Sequence, residues 1–384
     1  MIEARHPEIR EAVRALCAEY PDAYFRRVDA ERAYPQAFVD ALMRAGWLAA
    51  MIPEEYGAAG LGLSEASVIL EEINRCGTNA GAVHGQMYNM GTLLRHGSGE
   101  QKRAYLPAIA EGKLRIQSMA VTEPAAGTDT TRIRTTAVRR GDRYVVNGQK
   151  VFISRVRHSD LMLLLARTTP VEQVRKRSDG LSIFIVDLRE SIGRGLTVRP
   201  IANLVNHETN ELFFDHLEIP AENLIGEEGR GFRYILDGLN AERTLIAAEC
   251  IGDGYWFVDR AVKYANERIV FDRPIGKNQG VQFPIAEVHV EVEAANLMRY
   301  RACDLFDAGR PCGAEANMAK HLAAKASWEA ANVCLQTHGG FGFASEYDVE
   351  RKFRETRLYQ VAPVSTNMIF AYVAEHVLGL PRSF

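Results

Sequence analysis

Residues 141–154 read GDRYVVNGQKVFIS, and this stretch contains two β-rich triplets, Tyr144–Val146 and Val151–Ile153. The Asn147-Gly148 dipeptide between them is typical of a tight hairpin turn, so we predict two short strands joined at that turn. Further β-rich runs follow at 161–166, 181–188, 196–201 and 211–219. Because no helical segment separates these runs, they predict an all-β middle domain and not a βαβ sheet.

The chain on both sides of this region follows the helical period. Charged and apolar residues alternate near that period in 6–20, 36–45 and 64–75, and Ser64 is a candidate N-cap. From about Gly226 onward the helical pattern returns, with breaks near Pro274, Arg310-Pro311 and the glycines of 339–342. We therefore expect an α+β fold with an N-terminal all-α domain (1–117), a middle β domain (118–225) and a C-terminal helical domain (226–384).

Composition excludes several classes of protein. The 384 residues carry 46 basic and 49 acidic groups, so nucleic acid is not the expected partner. No uncharged apolar run reaches the roughly 18–20 residues that a membrane span needs. The six cysteines are widely spaced, without metal-ligand or CxxC spacing, and the first fourteen residues lack the apolar stretch of a secretory signal. We expect a cytoplasmic protein with reduced thiols, no membrane span and no metal.

Common catalytic motifs are absent from the sequence. It contains no GxSxG, HExxH or GxxxxGK[ST] motif, and the ten histidines are scattered. The glycines of GEEGRGF, residues 226–232, lie outside any βαβ unit, so a strand-to-helix turn explains them better than a dinucleotide site.

VTEPAAGTD, residues 121–129, is the first segment that indicates chemistry. Its small residues allow a flat cofactor to approach the backbone, and Thr122 and Thr128 offer hydroxyl groups. The segment alone also fits an ordinary decorated turn. Phe152 and Ser154 strengthen the cofactor interpretation, because an aromatic and a hydroxyl two residues apart are expected on one strand face.

These segments together resemble the acyl-CoA dehydrogenase family of flavoproteins. The matches run in order along nearly the whole chain and include VTEPAAGTD, GDRYVVNGQKVFIS, IPAENLIGEEGRGF, YANERIVFDRPIGKNQGVQ and CLQTHGGFGFASEYDVERKFRETRLYQ. The resemblance implies an acyl-CoA dehydrogenase-like fold ending in a C-terminal four-helix bundle, with FAD between the β and C-terminal domains. It also implies a homotetramer (or dimer) whose FAD sites are shared between subunits.

The resemblance assigns roles to individual residues. Val121, Thr122 and Ser154 resemble residues that hydrogen-bond the flavin ring, and Phe152 resembles the aromatic packed against it. Thr128 and Arg243 lie where the family contacts substrate.

The rest of the implied cofactor site lies toward the C-terminus. The group implied for the pyrophosphate and adenine end is Arg268, Phe271 and Gln279. The loop implied to reach a neighbour's FAD contains Gln336, Gly339 and Gly340, and phosphate can approach backbone donors where no Cβ intervenes. Asp272 departs from the family, which usually has glycine there, and it places an extra carboxylate near a diphosphate.

The catalytic base is the main departure. Many family members carry a glutamate in a Tyr-Glu-Gly-Thr turn, where this sequence has Pro363. A minority branch, including isovaleryl-CoA and long-chain dehydrogenases, places the glutamate on a helix immediately before an arginine. The Glu242-Arg243 pair matches that branch, so the resemblance implies Glu242 as the base.

Helical periodicity bears on Glu242 separately. Ile235, Leu239, Glu242 and Ile246 are spaced four, three and four, so the glutamate interrupts an apolar stripe. A carboxylate buried there has its pKa raised, which suits a base near neutral pH. The alternative is a core glutamate paired with a basic side chain of another helix.

Pro363 leaves alternatives open. In the family, the backbone N–H at this position helps to polarise the thioester carbonyl, and proline has none. Either a neighbouring donor replaces it, the loop is shifted, or the chemistry differs. Ser365 keeps a hydroxyl where the family's threonine contacts flavin, which favours retained FAD.

The resemblance implies FAD-dependent oxidation of an acyl-CoA to the trans-2-enoyl-CoA, with electrons passed to an electron-transfer flavoprotein. Two alternatives use the same fold. One is a flavin-dependent oxidase or monooxygenase, and the other is a non-catalytic FAD-binding homologue.

Overall fold

The structure, a computed structural model, describes residues 5–383. Residues 1–4 and 384, which fall in the expected first and third domains, lie outside the described residues. The helices are α1 (Pro7–Ala18), α2 (Asp22–Ala30), α3 (Gln36–Arg44), α4 (Leu63–Arg75), α5 (Gly81–His96), α6 (Gly99–Ala110), α7 (Leu188–Ser191), α8 (Gly231–Glu267), α9 (Gln279–Asp307), α10 (Gly313–His338), α11 (Val349–Arg357) and α12 (Thr366–Tyr372). The strands are β1 (Ser118–Ala120), β2 (Thr136–Arg140), β3 (Arg143–Ser154), β4 (Leu161–Arg167), β5 (Leu181–Asp187), β6 (Leu196–Pro200), β7 (Thr209–Pro220), β8 (Leu224–Ile225), β9 (Ile269–Val270) and β10 (Arg273–Pro274). The expected order of helical, β and helical domains is confirmed.

The described chain divides into two compact units. The helical unit comprises the described residues before Arg32, Gly62–Ala80 and the residues from Asn240 onward. The sheet unit comprises Arg32–Leu61 and Gly81–Leu239. Among the described residues, no helix is long and apolar enough to cross a membrane.

The sheet unit is built on a predominantly antiparallel sheet. Its strand order is β6-β7-β3-β2-β4-β5-β8, and β1 pairs in parallel with β4. Apolar residues fill both faces, with Tyr144, Phe184 and Leu212 on one side and Leu163, Ile183 and Ile225 on the other. The strands expected at 161–166, 181–188, 196–201 and 211–219 are confirmed within a residue or two at each end.

The hairpin predicted at Asn147-Gly148 is wrong, because β3 continues through this dipeptide as one strand. Asn147 and Gly148 form a bulge where the register against β7 shifts between Val146 and Gly148. Gly148 has φ 149°, and a Cβ there would lie 2.7 Å from the Cα of Thr135. Glycine is therefore required by the close approach of residue 135, and no turn is formed.

The helical unit packs α8, α9 and α10 together with α1 and α4. Buried alanines line the contact, including Ala247 on α8, Ala295 on α9 and Ala319 and Ala323 on α10. Small side chains allow these long helices to approach closely. The breaks predicted near Pro274, Arg310-Pro311 and 339–342 coincide with the ends of α8, α9 and α10.

The start of α4 differs from the prediction. The N-cap is Gly62, and Ser64 lies inside the helix. The carboxylate of Asp307 accepts hydrogen bonds from the backbone N–H groups of Leu63 (2.7 Å) and Ser64 (3.0 Å). A distant carboxylate therefore satisfies the N–H groups that a local serine was expected to cap.

Candidate functional site

The 121–123 turn is anchored to β3 by a buried ion pair. Lys150 Nζ donates to the Val121 carbonyl (2.8 Å) and lies 3.0 Å from Glu123 Oε1. The Glu123 carboxylate also accepts from the backbone N–H groups of Arg134 (2.7 Å) and Thr135 (2.9 Å), and Val151 N donates to Thr122 O (2.9 Å). These bonds fix the backbone of Val121 and Thr122 beside the end of β3.

Both members of this pair remain charged at neutral pH. Burial lowers the pKa of Lys150 to about 8, against the opposing attraction of the Glu123 charge. Burial alone would raise the pKa of Glu123, but the Lys150 charge and the two backbone N–H groups hold it below its usual range. The ion pair therefore holds the turn against β3.

Phe152 and Ser154 lie around a second β-bulge at the end of β3. The register against β7 shifts between Lys150 and Ile153, and Phe152 adopts φ 61° with 63% of its surface exposed. Simple alternation of strand faces, on which we grouped the two residues, does not hold across this bulge. Ser154 is half-buried, and its hydroxyl accepts a hydrogen bond from Asn206 Nδ2 (2.7 Å). An exposed aromatic ring next to fixed polar groups fits a flat heteroaromatic ligand.

Thr128 is exposed and lies two residues beyond the turn that follows Thr122. A two-way backbone pairing of Glu123 and Ala126 closes this turn, and Asp129 accepts hydrogen bonds from the side chains of Thr131 and Arg132. The hydroxyl of Thr128 is thus presented to solvent by an ordered loop.

Glu242 and Arg243 lie on α8 in the helical unit. The stripe predicted around Glu242 has buried ends at Ile235 and Ile246, while Leu239 and Glu242 are only half-buried. Glu242 is therefore less buried than its place in the apolar stripe indicated. Burial lowers the pKa of Arg243, and the adjacent Glu242 charge opposes that effect. Arg243 Nη1 donates to Asn240 Oδ1 at 3.2 Å.

Lys320 connects this region to the turn that contains Pro363. Its Nζ donates to the carbonyls of Tyr359 and Val364, at 2.8 Å each. Burial lowers the pKa of Lys320, and the Glu242 charge is among the groups that oppose this shift. The Tyr359 side chain is also fixed, because its hydroxyl donates to Glu249 Oε2 at 2.6 Å. The turn is therefore fixed on both sides of Pro363 by Lys320, whose charge is within electrostatic range of Glu242.

Arg268 lies next to the glycine-rich segment that follows α10. Its guanidinium carbon is 5.6 Å from the centre of the Phe341 ring, beside Gly339 and Gly340. Nothing lies within 4 Å of the positions that Cβ atoms of these two glycines would occupy. An arginine beside glycines whose Cβ positions border open space is suited to binding a phosphate.

The remaining predicted residues of this group are exposed. Phe271 and Asp272 form the two-residue turn between β9 and β10, with φ 50° and 62°, and Phe271 is 93% exposed. Gln279 begins α9, and Gln336 lies in the last turn of α10. Gln336 is sixteen residues from Lys320, so about 24 Å of helix separates the two.

A surface cavity of about 440 Å³ lies between the last turns of α8 and the first turns of α9, near Gln279. Its lining is mainly apolar, with Asn266, Gln282 and His289 as polar members. This volume is within the range of small-ligand sites. Within residues 5–383, no cluster of His, Cys, Asp or Glu is arranged to hold a metal ion.

Comparison with known proteins decides the family. The models for the N-terminal, middle and C-terminal domains of acyl-CoA dehydrogenases match residues 3–113, 118–217 and 229–378. The chain belongs to the acyl-CoA dehydrogenase family. An acyl-CoA dehydrogenase of Mycobacterium tuberculosis is 35% identical over 98% of this chain and 96% of its own length. A cyclohex-1-ene-1-carbonyl-CoA dehydrogenase of Syntrophus aciditrophicus is 34% identical over 92% of this chain and 85% of its own length.

A solved structure of a glutaryl-CoA dehydrogenase bound to glutaryl-CoA superposes with a TM-score of 0.92. It is 30% identical and covers 100% of this chain and 98% of its own chain. This acyl-CoA dehydrogenase is therefore an oxidoreductase that carries out FAD-dependent dehydrogenation of acyl-CoAs.

Sequence reasoning missed Lys150, Glu123 and Lys320 as supports of the site. Lys150 interrupts the apolar residues of β3, and Lys320 stands in the alanine-rich stretch ANMAKHLAAKAS of α10. A lysine on an otherwise small or apolar buried face needs a partner, which is the signal that could have identified both.

Proposed function

We propose that this acyl-CoA dehydrogenase oxidises an acyl-CoA thioester to the trans-2-enoyl-CoA, with Glu242 as the base. The observation that carries the proposal is the place of Glu242 on α8, adjacent to Arg243 and within electrostatic range of Lys320. Pro363, which stands at the family's alternative position, has no carboxylate. Glu242 is half-buried, so it combines access to substrate with partial shielding from water.

In this proposal Glu242 takes the α-proton of the thioester onto a carboxylate oxygen. The β-carbon loses a hydride, and a trans double bond forms between the two carbons. Bound FAD supplies the two-electron acceptor. Arg243 and Thr128 contact the substrate, and Lys320 holds the 359–364 backbone so that Ser365 is fixed for contact with the flavin ring.

The remaining cofactor contacts in this proposal are those that the family resemblance implies. Val121, Thr122, Phe152 and Ser154 surround the flavin ring in this proposal, since their backbone is fixed by Lys150 while Phe152 is exposed. The residues proposed for the pyrophosphate and adenine end are Arg268, Phe271, Gln279, Gln336, Gly339 and Gly340. The open space at Gly339 and Gly340 supports this role.

Assembly as a homotetramer (or dimer) is supported by an apolar stripe on α9. Phe283, Val290 and Leu297 recur every seven residues and are 59%, 65% and 58% exposed. A row of large apolar side chains along one helix face is typical of a subunit interface. We further propose a cytoplasmic location and transfer of the electrons to an electron-transfer flavoprotein, in keeping with the family.

An anaerobic titration of the purified holoenzyme with acyl-CoAs of different length and branching tests this proposal. Bleaching of the flavin absorbance by one class of thioester, with the enoyl product detected by mass spectrometry, is expected. Tight acyl-CoA binding without bleaching would contradict it. Rapid oxygen consumption with peroxide or a hydroxylated product would favour an oxygen-using reaction instead.

A further inference from the structure

Helices α1 and α4 of the helical unit lie side by side in parallel. His6 Nε2 is 3.0 Å from Ser64 Oγ, Arg10 Nη1 donates to Glu71 Oε1 at 2.8 Å, and Arg14 Nε lies 3.1 Å from Glu72 Oε2. Because later residues of α1 contact later residues of α4, the two helices run in the same direction.

The same contact face continues to a pair of cysteines. Cys17 follows Arg14 by three residues, and Cys76 follows Glu72 by four, so each is one helical turn further along the shared face. The flanking contacts bring these two positions together, and each thiol influences the ionisation of the other. Cys17 is buried, with 3% exposure, while Cys76 caps the end of α4 and is half-buried. Both are free thiols.

The backbone on the Cys76 side is firmly held. Arg351 Nη2 donates to the Gly77 carbonyl (3.0 Å), and Lys352 Nζ donates to the Thr78 carbonyl (2.9 Å). Gly77 has φ 84°. These contacts fix the backbone that directly follows Cys76.

The surroundings give the two thiols different reactivity. Interaction with the Cys17 side chain lowers the pKa of Cys76, with help from Arg14 and Arg75, although burial and Glu72 oppose this. The same interaction and burial raise the pKa of Cys17. A half-buried thiol of lowered pKa beside a buried thiol is the arrangement of a redox-sensitive cysteine and its resolving partner.

We propose that Cys17 and Cys76 form a peroxide-sensitive pair that closes to a disulfide joining α1 to α4. The Cys76 thiolate attacks one oxygen of a hydroperoxide, the O–O bond breaks, and Cys76 becomes a sulfenic acid. The sulfur of Cys17 then attacks the sulfenic sulfur, and water leaves as the S–S bond forms. The two thiols lose two electrons and two protons, and hydrogen peroxide is reduced to two molecules of water.

The test treats the holoenzyme with a few equivalents of hydrogen peroxide, blocks the remaining thiols, and maps peptides by mass spectrometry. A Cys17–Cys76 cross-linked peptide is expected, together with loss of two of the six thiols and recovery with dithiothreitol. A monomer band on a non-reducing denaturing gel is also expected, because the bond is within one chain. The melting temperature of the oxidised protein should rise by several degrees, since the bond closes a long loop.

Variants separate the steps. In Cys17→Ser, Cys76 should be trapped as a sulfenic acid by dimedone and no cross-link should form, whereas Cys312→Ser should cross-link like the native protein. If wild-type protein keeps all six thiols, accumulates Cys76 sulfenic acid, or pairs Cys76 elsewhere, the proposal is overturned. The peptide map of the peroxide-treated wild-type protein tests the proposal even if Cys17→Ser does not fold.

Discussion

Phe152 is held in the left-handed backbone region at φ 61°, which is costly for a bulky side chain. Phe152→Gly should relieve this strain and raise the unfolding free energy of the apoprotein by up to about 1 kcal/mol. It should also weaken FAD binding about tenfold, because the ring that packs on the flavin is lost. Urea unfolding and flavin-fluorescence titration measure the two effects.

Phe152→Leu is the control, since it keeps the backbone strain but removes the aromatic ring. Equal FAD affinity in all three proteins would remove Phe152 from the proposed site.

Asp272 places a carboxylate in the exposed turn beside Phe271, in the group proposed for the diphosphate. Asp272→Asn removes the charge, and asparagine tolerates the same left-handed conformation. We expect FAD to bind about two- to fivefold more tightly at low ionic strength, and we expect high salt to abolish the difference. Calorimetric titration of the apoprotein with FAD checks this. An affinity gain that persists in high salt would indicate a cause other than charge repulsion.

At the scale of elements, Lys320 ties α10 to the turn that contains Pro363. Lys320→Met leaves the carbonyls of Tyr359 and Val364 without this donor. The free energy of unfolding should therefore fall by about 2–4 kcal/mol. The value of kcat should also fall, because Ser365 is no longer fixed. Urea unfolding and steady-state kinetics give the two values.

Lys325→Met is the matched control on the same helix. The side chain of Lys325 is 55% exposed and pairs with Glu291 at 3.3 Å, so its loss should change stability by less than about 0.5 kcal/mol. Similar effects of both substitutions would mean that Lys320 does not hold the turn.

Sequence predicts those elements whose conformation is determined by residues nearby in the chain. β-rich runs such as Leu161–Arg167 and the helix breaks depend on the preferences of neighbouring residues. The sequence could therefore predict them. The β-bulge at Gly148 depends on the approach of Thr135, and the cap of α4 depends on Asp307, which is 244 residues from Leu63. Such long-range contacts leave no local pattern.

In the candidate site, too, sequence predicted some features and not others. The resemblance supplied positions such as Glu242 and Arg268, whereas helical periodicity overstated the burial of Glu242. Periodicity gives the face of a helix but does not say how completely another element covers it. The supports at Lys150 and Lys320 bind backbone carbonyls, which any residue carries, so their partners could not be inferred from side-chain patterns.

At the scale of the whole molecule, the stripe on α9 predicts that assembly and cofactor binding are coupled. Val290→Glu places a charge in the middle of the apolar row, between Phe283 and Leu297. It should lower the molecular mass measured by light scattering and release FAD, because the proposed sites are shared between subunits. Glu190→Lys, an exposed change on α7 away from this stripe, should leave both unchanged. Unaltered assembly of the Val290 variant would exclude this face as the interface.

The central claim is that Glu242 is the base, and single-turnover reduction of the flavin by acyl-CoA tests it most directly. The comparison is between native protein, Glu242→Gln and Glu267→Gln, a change at the exposed end of the same helix. Each is mixed anaerobically with the thioester that bleaches the native enzyme. Glu242→Gln should retain FAD and acyl-CoA binding but bleach at least about 10³-fold more slowly, while Glu267→Gln bleaches at the native rate. Bleaching of Glu242→Gln at the native rate would contradict the assignment.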